Sequence, residues 1–117
     1  MSSRRSERVA ESIREAIAMM LARDVKDPRV GMVTITRVSA SDDLRQARVY
    51  FSCVGDKEVI DRCLAGLRSA AGFMRGQLVR SLRLRFAPDL TFVFDPSLAE
   101  SIHLSELLRS EGESNDQ

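Results

Sequence analysis

Apolar residues recur every three or four positions near the start of the chain, at Val9, Ile13, Ala16, Ile17, Met20 and Leu21. This spacing places them on one side of a helix, and it predicts a helix from about residue 6 to residue 25. The segment KDPRVG, residues 26–31, then ends the pattern. Pro28 disfavours helical angles at Asp27, and Gly31 supplies a flexible corner.

The next two segments have the residue pattern of β-strands. Residues 32–39 are rich in Val, Ile and Thr, which favour strands. Residues 46–54 alternate, with Ala47, Val49, Phe51 and Cys53 on one side and polar residues between them. Since the turn-forming sequence Ser-Asp-Asp at 41–43 separates the two segments, they are predicted to pair as a hairpin.

The second half of the chain begins with another helical pattern. Asp56 is a suitable N-cap, and an apolar stripe follows at Ile60, Leu64, Leu67 and Ala71. The stripe weakens at Gly72 and resumes at Met74, Leu78 and Leu82. This interruption predicts two helices separated by a kink at residues 70–72. Gly72 would permit the kink, because glycine can adopt backbone angles that are closed to other residues. The second helix is predicted to end at Pro88.

A third strand is predicted from Leu90 to Asp95, with Leu90, Phe92 and Phe94 on one face. The sequence Ser-Leu-Ala-Glu at 97–100 has the form of a capping box, and it predicts a last helix to about Arg109. The order of elements is therefore α-β-β-α-kink-α-β-α. It predicts one α+β domain over residues 1–110, with helices on one face of a three-stranded sheet. Residues 111–117 are predicted to be an acidic, disordered tail.

Charge is distributed unevenly, although the net charge is only +1. Residues 62–94 contain six arginines and one acidic residue, whereas residues 95–117 contain one arginine and six acidic residues. A local positive surface is typical of proteins that bind the phosphate backbone of nucleic acids. The alternative reading is a solvated helix face that happens to be rich in arginine, or one that meets an acidic protein.

The residues that could support catalysis or metal binding are few. Cys53, Cys63 and His103 cannot supply a four-ligand zinc site, so both cysteines are predicted to lie in the core of a reduced, cytosolic protein. Asp42 and Asp43 are interpreted as turn residues. No nucleophile or phosphate-binding motif is present, no signal peptide is recognised, and no apolar run could cross a membrane. We therefore expect no enzymatic activity and no cofactor.

Several motifs resemble those of the bacterial ribosome-binding factor A family, over about residues 4–108. Ala70-Ala71-Gly72 matches the A-x-G kink that this family has in place of the GXXG loop of ordinary KH domains. Residues 26–31 resemble the family's turn between helix and strand, and residues 72–75 resemble the start of its helix after the kink. Similarity to its final strand and turn extends over Leu82-Arg83-Leu84-Arg85, Pro88, Leu90, Phe92, Asp95 and Ser97.

The resemblance implies a KH-like fold of the second topology. It also implies a monomeric, cytoplasmic, non-catalytic factor for ribosome biogenesis, in late maturation and RNA processing of the small ribosomal subunit. Such a factor binds the subunit and its ribosomal RNA, is released by an assembly GTPase, and matters most in the cold. The alternative is a small protein-interaction or regulatory module that binds an acidic protein partner.

The candidate RNA-binding residues combine the basic block, the A-x-G segment and the first turn: Arg68, Ala70, Ala71, Gly72, Arg75, Arg80, Arg83, Arg85, Lys26 and Arg29. Arg4, Arg5 and Arg8 form a basic arm that either orders on RNA or only aids solubility. The chain has no Trp, one Tyr and five Phe. This low aromatic content favours recognition of RNA shape and backbone over base stacking.

Overall fold

In the computed structural model, which describes residues 3–97, two helices pack on one three-stranded sheet. The helices are α1 (Arg4–Arg23) and α2 (Lys57–Leu82), and a short 3-10 helix (Pro28–Val30) follows α1. The strands are β1 (Thr34–Ala40), β2 (Gln46–Ser52) and β3 (Asp89–Phe94). The last predicted helix lies outside the described residues, except for Ser97.

The sheet has the order β1-β2-β3. β1 and β2 form the predicted antiparallel hairpin, in which Val38 lies opposite Val49. β2 and β3 are parallel, and Val49 lies opposite Phe92. A parallel pair needs a crossover connection, and α2 supplies it.

One hydrophobic core joins both helices to the same face of the sheet. α1 contributes Ile13 and Ile17, and α2 contributes Leu67, Met74 and Leu78. The sheet contributes Ile35, Ala47, Val49, Phe51 and Phe92 to the same cluster. Because all of these residues lie in a single layer between helices and sheet, the predicted two-layer arrangement with helices on one face is confirmed.

Both cysteines lie in this core as free thiols, as predicted. Burial raises the pKa of the Cys53 thiol to about 11, with Cys63 beside it as a second cause. A thiol that stays protonated at neutral pH is a poor nucleophile and a poor metal ligand. Both cysteines are buried as small residues of the core.

Side-chain caps define where both helices begin. The Ser3 hydroxyl accepts a hydrogen bond of 3.1 Å from the Ser6 amide, and the Asp56 carboxylate accepts one of 3.0 Å from the Val59 amide. These bonds satisfy amides that have no partner within the helix. Asp56 is thus the N-cap that the sequence predicts. α1 begins at Arg4, earlier than predicted, so Arg4 and Arg5 join Arg8 in the helix and the three do not form a separate arm.

The predicted division of the second helical region into two helices is wrong. α2 runs without interruption for 26 residues through the Ala70-Ala71-Gly72 segment. Among the glycines of residues 3–97, only Gly55 has a positive φ, so Gly72 does not need a conformation reserved for glycine. The stripe of Leu67, Met74 and Leu78 keeps its helical spacing across Gly72. Burial of that stripe outweighs the cost of one exposed glycine, which is about 1 kcal/mol.

The end of α2 also differs from the prediction. The helix stops at Leu82, six residues before Pro88. Arg83 adopts the left-handed conformation with a φ of 52°, and the amides of Arg83 and Leu84 both donate to the Val79 carbonyl. Leu84 then packs against the core. A left-handed residue followed by an apolar anchor is a common way to end a helix. Arg83 and Arg85 consequently lie beyond the helix.

Two glycines of α2 should respond oppositely to alanine. Gly72→Ala should raise the free energy of unfolding by about 0.5–1 kcal/mol, because alanine favours helix and a Cβ there would meet nothing within 4 Å. Gly66→Ala should lower it by about 1–2 kcal/mol, because its Cβ would lie 2.8 Å from Val30 Cγ1 and 3.0 Å from Arg29 Cβ. Urea denaturation measures both values, and effects of the same sign would contradict this account of α2.

Candidate nucleic-acid interface

The outer side of α2 carries a line of small residues. With about 3.6 residues per turn, Ala65, Ser69, Gly72 and Gly76 lie opposite the buried stripe of the same helix. Three of these residues are exposed and Gly76 is half-buried. At Gly72 a Cβ would meet nothing within 4 Å, so another molecule can approach the helix backbone closely there, whereas the guanidinium of Arg80 lies beside Gly76.

Arginines border this line on both sides. Arg62 and Arg80 lie along one edge, and Arg68 lies along the other; all three are exposed. No acidic residue follows Asp61 within α2. We call this surface the α2 face, and it consists of Arg62, Ala65, Arg68, Ser69, Gly72, Gly76 and Arg80. Its charge and shape suit a phosphate backbone, because guanidinium groups bind phosphate through paired hydrogen bonds.

Arg29 reaches the α2 face from the turn that precedes β1. Its Nη2 lies 2.6 Å from Asp27 Oδ2 and 3.3 Å from Ser69 Oγ. Asp27 also accepts a hydrogen bond of 2.9 Å from the Arg29 amide. The hydrogen bonds from the Arg29 side chain and amide hold the pKa of the Asp27 carboxyl below its ordinary value. Asp27 thus orients the guanidinium of Arg29 beside Ser69.

Arg75 is bound to the protein's own backbone. Its Nε donates a hydrogen bond of 2.9 Å to the Pro88 carbonyl, and its Nη2 donates one of 3.2 Å to the Ala87 carbonyl. The same Nη2 lies 3.1 Å from Asp89 Oδ1. These contacts tie α2 to the segment that leads into β3, so Arg75 has a structural task.

The predicted RNA-binding residues are divided among several surroundings. Arg68, Gly72 and Arg80 lie on the α2 face, and Arg29 lies beside it. Ala70 and Ala71 are half-buried and pack against the core. Lys26 is exposed between α1 and the 3-10 helix. For all of these residues, RNA binding stays a prediction.

Arg83 and Arg85 instead line a groove of about 430 Å³ at the end of α2. Arg5 from α1 and Arg45 from the β1–β2 turn join them there, beside Phe86. The Cζ atom of Arg45 lies 4.2 Å from the centre of the Phe86 ring. We call this feature the α2-end groove, and it combines four guanidinium groups with one exposed aromatic ring.

Sequence reasoning missed Arg62, Arg45 and Phe86. Helical spacing from Ser69 and Arg80 could have identified Arg62 as a member of the α2 face. No local pattern could have identified Arg45, because β2 and β3 must pair before the segments meet. In the folded chain, the Asp89 amide donates a hydrogen bond of 2.8 Å to the Arg45 carbonyl.

The described residues contain few groups that could support catalysis or metal binding. Both aspartates lie in the β1–β2 turn, as predicted. Asp43 accepts a hydrogen bond of 2.7 Å from the Ser41 hydroxyl within that turn, whereas Asp42 accepts one of 2.9 Å from the Ser3 amide at the start of α1. Within residues 3–97, no group of three or more His, Cys, Asp or Glu is placed to hold a metal ion. No helix in this range is long and apolar enough to cross a membrane.

Comparison with known proteins gives consistent matches. The family model described as Ribosome-binding factor A matches residues 5–108. Ribosome-binding factor A of Desulfitobacterium hafniense is 40% identical over the full length of both chains. The protein of the same name from Geobacter metallireducens is 43% identical over 93% of this chain and 92% of its own length.

Solved structures give the same picture for the fold. The solution structure of a putative ribosome binding factor A from Thermotoga maritima has a TM-score of 0.68 and 32% identity, and covers 80% of this chain and 89% of its own. The crystal structure of ribosome-binding factor A from Thermus thermophilus has a TM-score of 0.66 and 25% identity, and covers 75% and 93% of the two chains. The predicted KH-like α+β fold is confirmed.

Proposed function

Because the chain belongs to the ribosome-binding factor A family, we propose that it binds the small ribosomal subunit and its ribosomal RNA during late maturation. It acts there as an assembly factor in RNA processing and does no chemistry of its own. The observation that carries this proposal is the α2 face, where Arg62, Arg68 and Arg80 border a line of exposed small residues.

The geometry of the α2 face fits a phosphate backbone better than a flat positive surface would. Small residues let the RNA backbone come close to the helix, while the arginines on both edges contact phosphates on either side. Arg29 extends one edge, since its guanidinium lies 3.3 Å from Ser69. Such contacts depend on backbone position and charge and not on base identity, so they suit recognition of RNA shape.

The factor acts by binding to the subunit RNA and not by catalysis. A bound protein stabilises an RNA conformation only to the extent that it binds that conformation more tightly than the alternatives. The factor therefore holds an immature conformation of the subunit RNA and leaves when the mature conformation removes its preferred contacts. An assembly GTPase accelerates this release. Misfolded RNA rearranges slowly in the cold, so the cytoplasmic factor is most important at low temperature.

The protein acts as a monomer, through a single domain over residues 1–110. The acidic segment 111–117 lies outside the described residues, and we propose that its removal is tolerated.

Loss of the protein should leave small subunits with unprocessed ribosomal RNA.

Sedimentation with free small subunits tests the proposed function directly. The protein should pellet with them at low salt and be released at high salt. With about four to six phosphate contacts, log K against log salt should fall with a slope of about −3 to −5. Failure to pellet with small subunits at any salt concentration would contradict the proposal. Binding to an acidic protein in its place would favour the protein-interaction module.

A further inference from the structure

The α2-end groove has a chemistry that the α2 face lacks. It brings an exposed aromatic ring together with four arginines, whereas the α2 face offers small residues and charge. We propose that the α2-end groove is a second RNA subsite that takes one unpaired nucleotide. The phosphate binds Arg83 and Arg85, and the base stacks against the Arg45–Phe86 pair. This inference rests on the proposed function, since it specifies a second contact with the same RNA.

Charge favours an anionic ligand in the groove. Beside its four guanidinium groups the groove contains two carboxylates: Asp42 accepts from the Ser3 amide at 2.9 Å, and Asp43 accepts from the Arg45 amide at 3.1 Å. These bonds fix the start of α1 and the β1–β2 turn. Among residues 3–97, the salt bridges involve other arginines, namely Arg14, Arg29 and Arg75. The groove therefore has more guanidinium groups than carboxylates, and it is positively charged.

The aromatic ring favours a base over a carboxylate. Phe86 is 43% exposed, and Arg45 lies over its ring at 4.2 Å from the ring centre. Bases of single-stranded RNA stack on phenylalanine rings and on guanidinium planes alike. An acidic peptide would use the arginines but would gain nothing from the ring. The pairing of Arg45 with Phe86 thus points to nucleic acid.

Size and access favour a single nucleotide. The groove holds about 430 Å³, which lies within the range of pockets that bind small ligands. Val9, Leu82 and Leu84 add apolar lining beside Phe86. A base within a duplex is stacked on both sides and paired at its edge, so it cannot enter such a groove. An unpaired base in a loop or a single-stranded end can enter it.

One strained backbone conformation lies at the same groove. In residues 3–97, two residues other than glycine have a positive φ, Leu44 at 60° and Arg83 at 52°, and both line the groove. The conformation of Arg83 is accounted for by its place as the cap of α2, so the strain concerns Leu44. A left-handed leucine is uncommon because its Cβ crowds the backbone. Strained residues of this kind collect at binding sites, where the surrounding structure maintains them.

Fluorescence of a short RNA tests the subsite. The full chain is mixed with a single-stranded RNA of about eight nucleotides, within the site size of a small single-strand-binding domain, that contains one 2-aminopurine. The 2-aminopurine fluorescence of the single strand should be quenched when the protein is added, and that of a duplex of the same sequence should not. Phe86→Leu should weaken single-strand binding about tenfold and abolish the quenching, because leucine fills space but cannot stack.

Arg45→Gln and Arg48→Gln form a matched pair, since each removes one exposed positive charge from the same hairpin. Arg45→Gln should weaken binding about as much as Phe86→Leu, while Arg48→Gln should change it less than twofold. Equal quenching by the duplex, or unchanged binding in Phe86→Leu, would overturn the subsite. So would a nucleoside monophosphate that binds as tightly as the RNA, because it would indicate a site for free nucleotides.

A polyglutamate peptide is the competing ligand of a different class. If it bound the groove as tightly as RNA and did not depend on Phe86, the site would be one for acidic proteins, and the proposal would be wrong. Sedimentation with small subunits separates this result from failure of the proposed function. A subsite that fails these tests in a protein that still pellets with small subunits overturns only the subsite.

Discussion

Replacing Arg62, Arg68 and Arg80 together with glutamine should reduce affinity for small ribosomal subunits at least about a hundredfold at low salt. The three guanidinium groups border the exposed line of small residues on α2, and each is expected to contact a phosphate. Loss of three such contacts should also reduce the salt slope by about 2 to 3. Fold stability should change little, because all three side chains are exposed.

The matched control replaces Arg23, Arg37 and Arg48 with glutamine. These arginines are also exposed, and they lie on α1 and the two hairpin strands, away from α2. The net charge changes equally in both triple variants, so a general electrostatic effect would weaken both equally. Sedimentation over a range of salt concentrations distinguishes them. Equal affinity of the two variants would show that the RNA surface does not lie on α2.

Replacing Arg75 with alanine should lower the free energy of unfolding by at least about 2 kcal/mol, since a hydrogen bond to a charged group contributes about 1.5–3 kcal/mol and the side chain is partly open to solvent. The variant loses both donors to the Pro88 and Ala87 carbonyls. Pro88 is fully buried, so its carbonyl has little opportunity to find another partner. Urea denaturation monitored by circular dichroism measures the change. Folded Arg75→Ala protein should still bind small subunits.

Asp89→Ala is the control for Arg75→Ala. The Asp89 side chain is 74% exposed, and its ion pair with Arg75 is open to solvent. Pairs of this kind contribute less than about 1 kcal/mol, so Asp89→Ala should have only a small effect. If the two variants lost equal stability, the backbone contacts of Arg75 would not be the source of its effect. Arg75→Lys should recover only part of the loss, because lysine cannot donate from a planar fork.

The local pattern of the sequence was sufficient for most elements. The spacing of Val9, Ile13 and Ile17 predicted α1, and the alternation of Ala47, Val49 and Phe51 predicted β2. Asp56 was recognised as the N-cap of α2. These features depend on residues within one or two turns of each other, so a short window contains all the information. The family motifs also lie in short segments, and their resemblance led to the correct family.

The ends and continuity of α2 required the tertiary structure. Gly72 weakened the apolar stripe when the sequence was read alone, but Leu67, Met74 and Leu78 bury one continuous face against the sheet. That burial holds the helix together across an exposed glycine. The helix also ends before Pro88, because Arg83 adopts a left-handed conformation and Leu84 packs into the core. Packing energy, and not local propensity, decided both features.

The basic block itself was evident in the sequence, but the different contacts of its arginines were not. A run of arginines contains no information about which carbonyls, carboxylates or rings the fold brings near each one. Arg75 meets the Ala87 and Pro88 carbonyls in the segment that leads into β3. Arg45 meets Phe86 across 41 positions of the chain. The sequence by itself determined most of the elements, the family and the presence of a positive block of residues. Only the tertiary structure decided which arginines make contacts within the fold and which remain exposed, because that depends on contacts between residues far apart in the chain.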